Sequence, residues 1–275
     1  RGSGVSLMLR LRRAAQRARA RLPGELERVW REPLPRSATP AAQLRFLACD
    51  GEMTGLDPQR DTLLSLGWVP IDDGELLPAR ARHVLLRSDT GVGQSATVHH
   101  LRDCMLRDGA TPGGALKALL DDARGRILVF HNGRLDSAFL DAAARAAWGV
   151  PLLLPWLDTL RIEERLLRRR AHPPLAGELQ LAACRRRYAL PAHRAHSAVT
   201  DALATGELLL AQIALARFDD PSGLSKVGES NYMSTAESGV ANIGRADTLG
   251  SEISSGSIEL STVDLADQFS QMIEA

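Results

Sequence analysis

Aromatic side chains are scarce in this chain of 275 residues: Phe, Trp and Tyr together make up 4%. A surface built for base-by-base stacking along a long single strand is therefore not expected. Cysteine is scarcer still. Cys49, Cys104 and Cys184 are odd in number and widely spaced, which fits neither a disulfide framework nor a zinc site. Long apolar runs are missing as well. A stretch such as 151–157 falls far short of the roughly 18–20 residues that cross a bilayer, so no membrane span is expected. The Arg-studded start carries neither the apolar centre nor the small-residue cleavage site of a signal peptide, and the expected compartment is the cytoplasm. Lysine is almost absent, since Arg supplies 32 of the 34 basic residues. The planar guanidinium fork suits phosphate; a GC-rich genome produces the same bias without function.

Net charge is also nearly missing, at +1, but this neutrality is a cancellation. Residues up to Ser225 carry 32 basic and 25 acidic side chains, and the remainder carries 2 and 8. The two pieces, at +7 and −6, differ in composition as well as sign, which points to separate roles. Three regions are expected on this basis: a basic helix and Pro-rich connector over 1–43, a domain over 44–218, and a Ser/Gly-rich acidic tail over 219–275. Hydrophobic content of 44% with 24% charged residues is ordinary for a globular domain.

Apolar and Arg residues alternate at helical spacing from Leu9 to Trp30, predicting an amphipathic helix whose basic face either meets a polyanion or is simply solvated. Apolar runs at 44–49, 63–71 and 81–86 predict a strand meander, with a turn at Asp72-Asp73-Gly74. Helical segments are expected at 114–123, 135–148, 162–170, 179–188 and 197–216, with strands at 127–130 and near Leu157 between them. Three strands followed by alternating helices and strands predict an α/β fold, a mixed five-stranded sheet flanked by helices.

Carboxylates gather where these elements end. Asp50 and Glu52 lie two apart after an apolar run, and residues i and i+2 of a strand face the same side. Two carboxylates so placed repel unless one is protonated or a cation lies between them. Hard oxygen ligands favour Mg²⁺ or Mn²⁺. Met53-Thr54-Gly55-Leu56 leaves the strand through a glycine, where backbone can approach a ligand. Strand 127–130 ends in His131-Asn132, with Asp136 four residues on, and His196 precedes Asp201 at the start of a helix. Four carboxylates from separate strand and helix ends could converge on two cations.

These three motifs, in this order, resemble those of the DEDD-type 3′-to-5′ exonucleases with a histidine in the third motif. That family includes the proofreading subunit of bacterial replicative polymerase, ribonuclease T and oligoribonuclease, and the resemblance covers about 44–216. The resemblance implies a ribonuclease H-like fold and release of nucleoside 5′-monophosphates from single-stranded or frayed 3′ ends of DNA or RNA. It implies further that Asp50, Glu52, Asp136 and Asp201 bind two Mg²⁺ or Mn²⁺ ions, and that His196 is the general base. Met53, Thr54, Gly55, Leu56, His99, His131 and Asn132 match positions that contact substrate. A DNA polymerase subunit or a second copy of the chain is the partner such relatives suggest. Met53 and Leu135 depart from the commoner residues of the family, and neither is a ligand position.

The tail resembles something else. Residues 241–275, and by extension 228–275, are similar to the C-terminal region of bacterial flagellar hook and rod proteins, and a short amphipathic helix is expected over 262–275. Two other readings therefore stand beside the nuclease: a non-catalytic nucleic-acid or polymerase-associated module, and a flagellar structural or interaction protein acting through the tail.

Overall fold

The computed structural model describes residues 4–35, 39, 41–88, 103–169, 173–193, 195, 197–213, 215–217, 225–226, 232–233 and 242–244. Its centre is a mixed sheet of six strands. Strands β1 (Phe46–Met53), β2 (Leu63–Asp72), β3 (Glu75–Leu76), β4 (Arg82–Leu85), β5 (Ile127–Phe130) and β6 (Trp156–Asp158) lie in the order β3-β2-β1-β5-β6, with β4 also paired to β2. The β1–β2 pair is antiparallel, while β1–β5 and β5–β6 are parallel. Parallel pairs require crossovers. The crossover between β5 and β6 is α5 (Gly133–Trp148), the next helix after α4 (Pro112–Ala123) and the short α3 (Asp103–Leu106).

Strand alternation divides the core. Leu47, Cys49, Leu66, Trp68, Leu128 and Phe130 face one layer with α4, α5 and the N-terminal helices α1 (Gly4–Arg19) and α2 (Gly24–Arg31). Phe46, Ala48, Val69, Ile71, Ile127 and Val129 face the other, covered by α6 (Thr159–Arg169) and α8 (Ala198–Ile213), with α7 (Leu181–Arg187) beside them. Covered on both faces, β2 is buried along nearly its whole length, which is why its sequence reads as a continuous apolar run.

Helix α8 enters this layer at close quarters. A Cβ placed on Gly67 would collide with the backbone of Ala198 and Val199, and one on Gly206 would meet the side chains of Leu76 and Ala48. Two glycines, one on the sheet and one on the helix, thus let α8 lie directly on β1 and β2. A buried arginine secures the approach to α8: Arg185 donates to the carbonyls of Ala204 (2.7 Å) and Pro191 (2.9 Å) and to Glu207 (2.6 Å). Glu163 ties α6 to α7 and α8, accepting from Arg187 (2.6 Å), Tyr188 (3.0 Å) and Gln212 (3.0 Å).

Several elements differ from the sequence expectation. The single N-terminal helix is two, because the chain is extended through Pro23, from which α2 starts. One face of α1 is turned inward: Arg13 is buried, donates to the Leu153 carbonyl (2.9 Å), and stacks on Trp30 together with Arg17. Burial and the neighbouring Arg17 lower the Arg13 guanidinium to about 10. In the run Arg185-Arg186-Arg187, Arg185 is buried, Arg185 and Arg187 bond internally, and Arg186 is exposed. The sixth strand is β3, two residues that pair back on β2 beyond the turn at Asp73-Gly74. Strand β1 also runs on to Met53, placing Asp50 and Glu52 within it rather than beyond its end. Two short antiparallel pairs involve described residues of the tail: 242–244 with 215–217 at the end of the domain, and 225–226 with 232–233. The helix expected over 262–275 lies outside the described residues.

Replacing Gly67 with valine forces backbone rather than a flexible side chain to yield. Gly67→Val should destabilise the fold by at least about 3 kcal/mol, measured by denaturant unfolding; an unchanged midpoint would mean that α8 does not rest on this position.

Candidate active site

Asp50 and Glu52 sit on β1 opposite Gly67 and Ser65 of β2, and the register slips between Glu52 and Met53. This irregularity ends regular pairing and starts the loop to β2. The loop is closed by its own hydrogen bonds: Asp61 accepts from the Thr54 hydroxyl (3.2 Å) and the Asp57 amide (2.9 Å), and Thr54 Oγ1 accepts from the Thr62 amide (2.9 Å). Gly55 has no room for a Cβ beside the Asp61 carboxylate, and Leu56 is left 78% exposed. Asp61 is thus a loop organiser that the sequence reading missed; an Asp four residues after Asp57-Pro58 was its only trace.

The second motif is organised from β6. Asn132 adopts a left-handed conformation (φ 78°), and Asp158 accepts from the amides of Asn132 (3.0 Å), Gly133 (3.1 Å) and Leu160 (3.0 Å). One buried carboxylate therefore caps the start of α5 and the start of α6 together. Fixing α5 also fixes Asp136, whose Oδ1 accepts from the Gly51 amide (3.1 Å) between the two acids of β1. His131 pairs through Nδ1 with Thr159 Oγ1 (2.8 Å) and through Nε2 with the Leu179 carbonyl (2.8 Å). A carbonyl only accepts, so Nε2 carries the proton. Burial lowers the His131 imidazole below its ordinary value, and with both nitrogens engaged it ties β5 to α6 and to residue 179.

The third motif delivers Asp201 on the first turn of α8. Carboxylate oxygens of Asp50, Glu52 and Asp201 all lie within 4.8 Å of one another. Asp136 flanks this trio rather than joining it. His193, three residues before His196, places Nε2 at 2.9 Å from Asp201 Oδ1. His196 and His99 lie outside the described residues.

Crowding is visible in the ionisation of the acids. Burial, followed by the charges of Asp136, Asp201 and Glu52, pushes Asp50 well above the usual carboxylate range. Glu52 is raised to about 7 by burial and by Asp201. Asp136 is raised to about 8, mainly by burial, although the Gly51 amide acts against this. The Cys49 thiol on the same strand is pushed up by burial and by Asp136 and Asp50, so it is an inert neighbour. Hard oxygen donors concentrated in one half-buried cluster suit a divalent cation such as Mg²⁺ or Mn²⁺.

Two outcomes follow from this geometry. Asp158→Ala leaves three backbone amides without their acceptor and should cost at least about 2 kcal/mol in denaturant unfolding; a loss within error would show that the cap is dispensable. The pH dependence follows from the raised carboxyls. Their neutral form is favoured by folding, so the contribution of the site to stability is greatest below about pH 4 and is lost as pH rises through about 7 to 8. In EDTA, Glu52→Gln should lessen the fall in stability between about pH 5 and pH 9 by on the order of 3 kcal/mol. Parallel pH profiles for the two proteins would contradict this.

Comparison with known proteins agrees with the architecture. Over 185 residues, 67% of this chain, the sequence is 26% identical to the PolC-type DNA polymerase III of Thermotoga petrophila, of which the match covers 13%. A separate 65-residue match, 23% of this chain, is 46% identical to the flagellar hook protein of Borreliella burgdorferi and covers 15% of it. The chain thus spans less than a sixth of the length of either relative. Among solved structures, cell-death related nuclease 4 superposes with a TM-score of 0.54 at 12% identity, over 65% of this chain and 69% of that one. The nuclease domain of 3′hExo, a DEDDh family member bound to rAMP, gives 0.53 at 12% identity, over 62% and 92%. Both likenesses concern the fold. The family assignment comes from the sequence between residues 47 and 209, which matches the RNase_T exonuclease pattern from β1 to α8: the chain belongs to that exonuclease family.

Proposed function

We propose that residues 44–218 form a metal-dependent 3′-to-5′ exonuclease domain that hydrolyses terminal phosphodiester bonds of single-stranded or frayed nucleic acid to nucleoside 5′-monophosphates. The observation that carries this reading is the convergence of Asp50, Glu52 and Asp201 within 4.8 Å, with Asp136 held beside them by the Gly51 amide. Asp50, Glu52, Asp136 and Asp201 would hold two Mg²⁺ or Mn²⁺ ions. Bound there, such ions supply an activated water and counter-charge for the phosphate and the departing 3′ oxygen. His196 is assigned as general base from its place in the third motif, because an imidazole titrating near neutrality can take the proton of the attacking water. The exposed Leu56 and the loop closed by Asp61 offer the terminal nucleotide a shaped edge. Asn132 and His99 are assigned to substrate contact by their motifs alone, whereas His131 supports the site through its internal bonds.

DNA is the preferred substrate in this reading, supported by the likeness to part of a DNA polymerase; the same relative supports a polymerase as physical partner. A non-catalytic module would be expected to lack one of the acids, and all four are present. The tail is assigned no part in catalysis. No helix among the described residues is long and apolar enough to cross a membrane.

Purified protein with Mg²⁺ or Mn²⁺ should shorten a 5′-labelled single strand one nucleotide at a time, on DNA faster than on RNA of the same sequence. EDTA should stop it, and Asp50→Ala or Asp201→Ala should slow it by about 1000-fold or more. Truncation after Ser225 should leave the rate unchanged. A ladder growing from the other end, or activity that survives Asp201→Ala, would remove the assignment.

A further inference from the structure

The third motif explains Asp201 and His196 but leaves His193 without a task, although among the described residues His193 reaches the Asp201 carboxylate. Its Nε2 lies 2.9 Å from Asp201 Oδ1, with both side chains mostly buried. An ionised carboxylate has only acceptors to offer, so Nε2–H is the donor. The chain around the ring is held in place. Leu190 N bonds the Arg185 carbonyl (3.1 Å), and Arg185 itself grips the Pro191 carbonyl (2.9 Å) two residues before His193 and the Ala204 carbonyl (2.7 Å) one turn after Asp201. The guanidinium thus sets the distance between the loop that carries the imidazole and the helix that carries the carboxylate.

We infer that His193 is a positioning residue for metal binding: it holds Asp201 turned toward Asp50 and Glu52, whose charges would otherwise drive it away. This rests on the metal-dependent reading above, and it concerns a residue outside the motif that assigned the ligands. A hydrogen bond from His193 occupies one of about four lone-pair directions of a carboxylate, so it orients Asp201 without competing for every oxygen lone pair. Partners behind a ligand orient it, and their loss typically weakens metal affinity by about 10- to 100-fold.

The test is a calorimetric titration of the full chain with Mn²⁺ alone, comparing the unaltered protein with His193→Ala, His193→Gln and His196→Ala. Glutamine places an amide donor near the position of Nε2 but cannot accept a proton as a base. His193→Ala should weaken Mn²⁺ binding by about 10-fold or more, His193→Gln should restore it, and His196→Ala should leave it unaltered. Activity of His193→Ala should return when Mn²⁺ is saturating. Equal Mn²⁺ affinity in His193→Ala and the unaltered protein would overturn the inference. So would a loss of turnover in both His193 variants at normal Mn²⁺ affinity, which would make His193 a reacting group in place of His196. If the unaltered protein binds no Mn²⁺, the metal reading fails and this inference fails with it. If Mn²⁺ binds and only the His193 variants behave otherwise than stated, the metal reading stands by itself.

Discussion

The site depends on how closely one helix can lie on the sheet. Helix α8 rests on β2 at Gly67, and Gly67 is the residue opposite Asp50 in the β1–β2 ladder. Backbone contact at that point sets the distance between Asp201 and the two acids of β1 before any side chain is considered. Gly206, farther along α8, keeps the same separation over Ala48. The spacing is therefore a property of the packed layer, and the acids follow from it.

Holding like charges together has a cost, and the fold distributes the restraint. Left to themselves, Asp50, Glu52 and Asp201 would separate, because burial weakens solvation at Asp50 and Glu52 and the charge of Asp201 adds to the upward push on both. They rest on two kinds of anchor: Asp50 and Glu52 on a strand laddered to β2, and Asp201 on the first turn of a helix packed on the sheet. Asp136 is tied to the Gly51 amide, and the helix that carries it is capped by Asp158 from a neighbouring strand. Restraint through backbone amides makes sense here. An amide favours the ionised carboxylate without supplying a full counter-charge, so it steadies the acid and leaves the demand for a cation in place.

The residues that carry chemistry were legible because they occur at spacings tied to secondary structure: two apart on β1, four after Asn132 at the head of α5, five after His196 at the head of α8. The residues that hold them were not. Gly67 sits in an apolar strand and carries no chemical signal, and its role exists only because α8 arrives from more than a hundred residues away. The break between α1 and α2 was hidden by an amphipathic pattern that continues across Pro23, although proline suits a first helical turn better than an interior one. His193 was not legible either, since nothing local tells which imidazole of this loop meets a carboxylate eight residues on. The strands, helices and ligand positions are thus local information, and the spacing between layers is not.

The same distinction changes the meaning of the charge asymmetry. A surplus of +7 before the tail suggests a surface built for a polyanion, yet several arginines are spent on internal bonds. Arg126 is buried against Asp72, Arg187 is bound to Glu163, Arg185 clasps two carbonyls and Glu207, and Arg13 clamps α1 onto Trp30 and residue 153. In these places the guanidinium is used for its fork of five donors, which can close several acceptors at once where lysine could not. Net charge is thus a poor guide to where a nucleic acid strand would lie on this domain. A better guide is which arginines keep their donors toward solvent, and Arg185 and Arg187, although neighbours in a basic run, have theirs committed to Ala204, Pro191, Glu207 and Glu163.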